Sequence, residues 1–327
     1  MKLKRLFFVL FFSIIAFLLL FRVKLPYLLL LPGKAENVLS MIQFPHKPLN
    51  PSGRLYLTTV YVIHATPAFY LFGLIDPSAE LLSDRISGVI ENKVEAEQMK
   101  DSQLLAELVA FKKAGVPAQL KGTGVKILKV LKNSPDKNLL RKGDVIMGIN
   151  HHPTPFFFSI LTYLNHFPPG QPVFLTILRQ GRKMRLKAET IKNSSGTGVR
   201  LGILVVNNGI KLKTNFPIQI RLKHIEGSSA GLVFSLGIYD LLKGGSLLKG
   251  QVVAGTGTID ANGNVGPIEG VAQKIKTAAA VHAHYFFCPV QNYAKAEKNA
   301  DGLTIIPVKD FNQAVDFLKN KMPYARP

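Results

Sequence analysis

Cysteine is nearly missing from this chain of 327 residues: Cys288 stands alone, so no internal disulfide can form. Acidic residues are scarce as well, 20 Asp and Glu against 41 Lys and Arg, for a formal net charge of +21. An excess of that size points to a polyanionic neighbour such as nucleic acid, anionic lipid or an anionic envelope surface. It is unevenly spread: residues 118–195 carry 13 basic against 3 acidic side chains, residues 201–327 carry 14 against 8. Aromatics interleaved with bases are lacking, which speaks against nucleic acid as the partner. No His, Cys, Asp and Glu cluster has metal-ligand spacing, and "GGSLLKG" (244–250) lacks phosphate-loop spacing. Neither a metal nor a nucleotide nor any other cofactor is expected.

Apolar residues are plentiful, at 47%, and the length allows two domains or more. The run "LFFVLFFSIIAFLLLF" (6–21) follows Lys2, Lys4 and Arg5 and precedes Arg22 and Lys24. With Leu25 and its flanks it reads as a transmembrane helix. A cleaved signal peptide is the rival, but no A-x-A-like site lies between Phe21 and Gly33. The basic start places the N-terminus in the cytoplasm and the remainder outside, as a single-pass protein of the cell membrane.

Further along, "GRLYLTTVYVI" (53–63) reads as a strand. "EAEQMKDSQLLAELVAFKKAG" (95–115) reads as a helix stopped by Gly115 and Pro117. Residues 118–192 then alternate short strands with two short helices, ending in a hairpin about Gln180-Gly181. Their segment Leu140-Arg141-Lys142-Gly143-Asp144-Val145-Ile146 resembles the L-x-x-G-D-x-I segment of PDZ domains. That resemblance implies strand-addition binding of an extended peptide, with the loop Gly122, Thr123, Gly124 and Val125 capturing its carboxylate. A small β-rich domain without a groove is the alternative. Residues 192–199, "KNSSGTGV", have the composition of a linker.

The stretch "IEGSSAGLVFSLGIYDLL" (225–242) puts two hydroxyls at the mouth of an apolar helix. A serine there is commonly just an N-cap. Yet Gly227-Ser228-Ser229-Ala230-Gly231 also centres a G-x-S-x-G pattern on Ser229, where small neighbours admit a carbonyl and the helix N-terminus favours an oxyanion. Such a serine needs a base. The hydrolase order of Ser, Asp and His has candidates in Asp240, Asp260, His282 and His284, but too few strand–helix units surround the serine for that fold. The other base is a lysine. In "PIEGVAQKIKTAAAVHA" (267–283), Lys274 shares a helical stripe with Val271, Ile275, Ala278 and Ala279, whereas Lys276 falls on the opposite face. Desolvation on that stripe lowers the lysine pKa toward neutrality; the alternative is that Lys274 snorkels out to water. Cys288 in "HYFFCPV" reads as a core residue.

In order, these pieces resemble the Lon proteolytic domain: the serine motif, Thr256-Gly257, the Asn262-Gly263 turn, Pro267-Ile268-Glu269-Gly270 and the Lys274 helix. The resemblance implies Ser229 as nucleophile, Lys274 as base and Thr256 as the group orienting the lysine, with Gly227, Ser228, Ala230 and Glu226 framing the serine. Ser228 replaces the family's usual proline, Glu226 its aspartate and Glu269 one glycine of a pair. The "YLTTVYV" strand and the helix near Ser102 resemble early elements of the same domain. The whole order is similar to membrane-anchored PDZ–Lon proteases of Gram-positive bacteria that lack an ATPase.

The expected fold class is therefore α+β: an N-terminal transmembrane helix, a PDZ-like β-rich domain and a Lon-type proteolytic domain. Residues 1–25 form the cytoplasmic start and anchor, and 26–53 a connector. Residues 54–117 are the first part of the Lon-like domain or a separate subdomain, 118–192 the PDZ-like domain and 200–327 the proteolytic domain. The expected function is ATP-independent serine endopeptidase activity on peptides or unstructured protein segments outside the membrane. The alternative is a catalytically idle PDZ adaptor on a Lon-like scaffold. The oligomeric state is left open.

Overall fold

A computed structural model of the protein describes residues 2–44, 50–83, 92–192, 198–222 and 225–325; most of the 192–199 linker lies outside them. In chain order the principal elements are helix α1 (Lys2–Arg22), strands β1 (Tyr27–Asn37) and β2 (Arg54–His64), helix α2 (Pro67–Ile75), strand β3 (Glu80–Ser83) and helix α3 (Asn92–Ala114). Next come β4 (Gly124–Val130), β5 (Val145–Ile149), α4 (Phe157–Asn165), β6 (Val173–Arg179), β7 (Arg182–Ala188) and β8 (Ile203–Asn208). The last are α5 (Gly231–Leu242), β9 (Val252–Gly255), α6 (Val271–Ala279), β10 (Tyr285–Pro289) and β11 (Thr304–Val308).

The architecture is mixed α/β in two compact units. One comprises residues 1–90, 229–259 and 263–327; the other comprises 91–228 with 260–262.

In the first unit a six-stranded sheet runs β11-β10-β9-β2-β1-β3. Its first four strands are parallel neighbours, and β1 is antiparallel to both β2 and β3. Parallel strands are buried on both faces and read as continuous apolar runs; Phe286, Phe287 and Cys288 of β10 are fully buried. Val271, Ile275 and Ala278 of α6 join Ala254 and Phe286 in one apolar cluster. Each large apolar side chain, fully buried, contributes roughly 1.5–3 kcal/mol. Helix α5 is buried along its whole length up to Leu241, which explains why its sequence carries no polar face.

In the second unit a sheet ordered β7-β6-β5-β4-β8 is antiparallel throughout. Val125, Ile127, Ile146, Ile149, Leu175 and Ile177 form its core with Ile160 and Leu164 of α4. The β6–β7 hairpin turns at Gln180 and Gly181, both at positive φ (50° and 79°), as a two-residue turn of the primed kind requires. The Gly143-Asp144 pair has a physical role. Gly143 takes φ 95°, and the Asp144 carboxylate receives the Arg179 fork at 2.7 Å on each oxygen and the Arg141 amide at 2.9 Å. These bonds hold its pKa below the ordinary aspartate value against the opposing effect of burial.

The N-terminus corrects an expectation. Among the described residues no helix is long and apolar enough to cross a membrane. The uncharged run inside Lys2–Arg22 spans 16 residues, about 24 Å at the helical rise, which falls short of the ~30 Å hydrocarbon layer. The N-terminal transmembrane helix is therefore not supported. Neither are the single-pass membrane anchor and the extracellular placement that rested on it.

Candidate active site

Ser229 precedes α5, and its backbone is tied down before its hydroxyl is considered. The Ser229 carbonyl accepts the Gly257 amide at 2.8 Å and the Thr256 hydroxyl at 3.1 Å. In return the Gly257 carbonyl accepts the Leu232 amide at 3.0 Å. Gly257 sits at φ 153°, and a Cβ there would lie 3.0 Å from Val265 Cγ1 and 3.3 Å from Leu232 Cβ. The threonine–glycine pair therefore has a local cause: threonine supplies a hydroxyl and glycine permits the close approach.

Lys274 arrives from α6. The helix starts after Gly270, which is left-handed at φ 68° and would bring a Cβ within 2.9 Å of Val60 Cγ1. The Lys274 amide bonds the Gly270 carbonyl at 3.0 Å. Because Val271, Ile275 and Ala278 face the core, Lys274 is drawn in with them and keeps 3% of its surface exposed. Its Nζ lies 2.7 Å from Ser229 Oγ and 3.1 Å from Thr256 Oγ1. Burial lowers the lysine pKa from 10.5 to about 7, with Glu269 pulling the other way. The alternative of a snorkelling Lys274 is thus not what the geometry shows; Lys276 is the half-exposed one.

The arrangement has consistent proton logic. Near neutral pH a large fraction of Lys274 is the free amine, whose lone pair can accept from Ser229 Oγ–H while an N–H donates to Thr256 Oγ1. Thr256 is itself 1% exposed, and its own hydrogen goes to the Ser229 carbonyl. One threonine thereby holds both the base and the backbone of the serine.

The remaining expected residues fall as follows. Ala230 is buried and immediately precedes α5; Gly227 takes φ 88°; Ser228 is half-buried with its carbonyl accepting from Ser102 Oγ at 3.2 Å; Glu226 is exposed. Of the hydrolase-type candidates, His282 is exposed and the other three are engaged elsewhere, Asp260 by accepting the Asn262 amide at 2.8 Å. Asp240 accepts the Leu247 amide at 2.7 Å, and His284 Nδ1 lies 2.6 Å from Gln251 Oε1. Burial pushes the Cys288 thiol up to about 12, so it is no nucleophile. Among the described residues no group of three or more His, Cys, Asp and Glu is arranged to hold a metal ion.

The loop Gly122–Val125 is not at an open sheet edge. Its strand β4 is flanked by β5 and by β8, Thr123 donates through both its amide and its hydroxyl to the Asn208 carbonyl at 3.1 and 2.9 Å, and Gly124 pairs with Asn208. The edge beyond β4 belongs to β8, whose preceding Leu201-Gly202 turn carries φ 66° at the glycine. Sequence reading missed that strand because the 192–199 linker separates it from the segment with the PDZ signature. The signal available was the Leu201-Gly202-Ile203 triplet, a glycine turn running into an apolar strand.

Comparison with known proteins gives three findings. Residues 98–190 match the family model described as PDZ domain. The chain is 38% identical over 102 residues to Lon protease 2 of Bacillus subtilis (strain 168), a match covering 31% of this chain and 18% of that protein. Among solved structures, the PDZ domain of an SdrC-like protein from Listeria monocytogenes is 20% identical with TM-score 0.24, covering 26% of this chain and 88% of its own. Its Listeria innocua counterpart is 22% identical with TM-score 0.24, covering 25% and 92%. The chain is related in part to PDZ domains and in part to a Lon protease, and the match spans about a fifth of that relative's length.

Proposed function

We propose that this chain is a serine endopeptidase in which Ser229 is the nucleophile and Lys274 the general base, with Thr256 positioning the lysine. The observation that carries the reading is the 2.7 Å contact between Lys274 Nζ and Ser229 Oγ, made by a lysine whose burial brings its pKa to about 7. Lys274 takes the hydroxyl proton as Oγ attacks the scissile carbonyl, then delivers it to the leaving amine as the C–N bond breaks. Water then enters along the same route, with Lys274 again as base, to release the acyl group. No step draws on a nucleotide, so an unstructured peptide is cleaved without ATP. The B. subtilis match supports this reading.

Peptide recognition belongs to the second unit. The PDZ family match supports it, and we place the added peptide strand along the outer edge of β8 beside α4 rather than along the Gly122–Val125 loop. A purely adaptor role leaves the buried lysine unaccounted for, because an idle cation in that position destabilises the fold.

The test is turnover of an internally quenched, unstructured peptide in nucleotide-free buffer. Ser229→Ala and Lys274→Ala should each lose nearly all activity, and the double variant should be no worse than either. Ser228→Ala and Lys276→Ala should keep most of it. A folded Ser229→Ala protein that still cleaves the peptide would reject the assignment.

A further inference from the structure

Strand β7 lies at the end of its sheet opposite β8, and among the described residues no strand pairs with its outer edge. It has a one-sided composition. Lys183, Arg185 and Lys187 are all exposed and project from the same face, about 6.8 Å apart at strand spacing. Neither β7 nor its register partners Val173–Arg179 contain an acidic residue. Arg182 pairs in register with Arg179, whose own charge is met by Asp144. On the same face the Arg185 guanidinium rests over the Phe174 ring, 4.6 Å from its centroid, and its Nη2 lies 3.2 Å from His151 Nε2. Phe174 remains 41% exposed. The result is an open backbone edge with a ladder of uncompensated cations, backed by an aromatic ring that holds the middle cation in place.

We propose that the outer edge of β7 docks an extended acidic peptide segment. The segment adds to the sheet as a further strand, and its carboxylates at alternate positions face Lys183, Arg185 and Lys187. The open edge supplies main-chain hydrogen bonds, the two-residue spacing of the cations matches the side-chain repeat of a strand, and cross-strand pairs of opposite charge favour the register. Basic side chains also guard an edge against self-association. Guarding, however, accounts for neither the concentration of one sign nor the aromatic seat under Arg185. This inference does not depend on the peptidase reading.

The probe is a fluorescent peptide alternating Glu and Thr, with acetylated and amidated ends so that carboxylate capture elsewhere plays no part. Anisotropy with the full chain should show binding that weakens with added salt. The triple variant Lys183→Glu/Arg185→Glu/Lys187→Glu changes only exposed side chains and should bind at least about tenfold more weakly. Two further probes carry N-methyl groups on alternate amides, one in each phase. One phase should lose binding and the other should keep it, as strand addition requires. Equal binding by the triple variant would overturn the proposal. So would retention of binding by both N-methylated probes together with displacement by dextran sulfate, since the face would then be a charge patch indifferent to strand geometry.

Discussion

A lysine that is buried and still ionised should be a burden on the fold, and replacing Lys274 with methionine measures that burden. The folded-state pKa is depressed from 10.5 to about 7. Between those values the unfolded chain binds more protons than the folded one, so stability rises with pH across that window and is lowest below it. A tenfold change in a protonation equilibrium is worth about 1.4 kcal/mol. Burying Lys274 therefore costs about 5 kcal/mol at pH 6, where it stays mostly ionised, and only about 2 kcal/mol at pH 9, where it must give up its proton on folding. Methionine matches the stem in length and removes the charge. It also removes a hydrogen-bond partner from Ser229 and Thr256, an offset of about 1.5 kcal/mol. Lys274→Met should thus be about 3 kcal/mol more stable than the parent at pH 6 and within about 1 kcal/mol of it at pH 9. Urea unfolding at the two pH values, with unchanged slopes, reads this directly. A difference that does not vary with pH, or a variant destabilised at pH 6, would refute the claim that this lysine is desolvated.

Other residues yield further expectations. Thr256→Val should lower kcat by about 10- to 100-fold with little change in KM, because the base loses its orienting partner; Thr256→Ser should restore most of the rate. Activity should rise with pH through about 7 as Lys274 deprotonates, and Glu269→Gln should move that rise to lower pH by removing the charge that favours the ammonium; an unshifted profile would disconnect Lys274 from the pH dependence. Asp240 is raised to about 6 by burial, and its Oδ2 has no hydrogen-bond partner among the described residues. Its folded pKa lies above the unfolded value, so its ionisation lowers stability as pH rises from about 4 through 6. Asp240→Asn should accordingly gain in melting temperature relative to the parent at pH 8 compared with pH 4.

What could be read from the sequence was whatever local chemistry forces. The helix around Lys274 follows from its apolar spacing, and the strand at residues 54–64 from its β-branched and aromatic content. The contact that joins Ser229 to Lys274 spans 45 positions, and no periodicity encodes it; order and residue type suggested the pair, while the distance is a tertiary fact. Position 257 is similar. Its glycine is visible in sequence, but the reason, a Cβ meeting Val265 and Leu232, exists only once three segments converge. The N-terminal segment misled because its uncharged run reaches the length of a span only when Leu25 and the charged flanks are added to it, and the run between the bounding charges is by itself too short. The strand that follows the Gly122–Val125 loop was legible, but its neighbour was not: the partner that closes its edge, Ile203–Asn208, lies more than 70 residues downstream.

The central claim is that Ser229 is a nucleophile activated by Lys274. Diisopropyl fluorophosphate forms a phosphoester with such a serine and expels fluoride, and peptide mapping by mass spectrometry locates the adduct. The account expects the adduct on Ser229 in the parent, at a rate that climbs with pH through about 7, and almost none in folded Lys274→Ala. An adduct on Ser228, or equal labelling of Ser229 with and without the lysine amine, would contradict it.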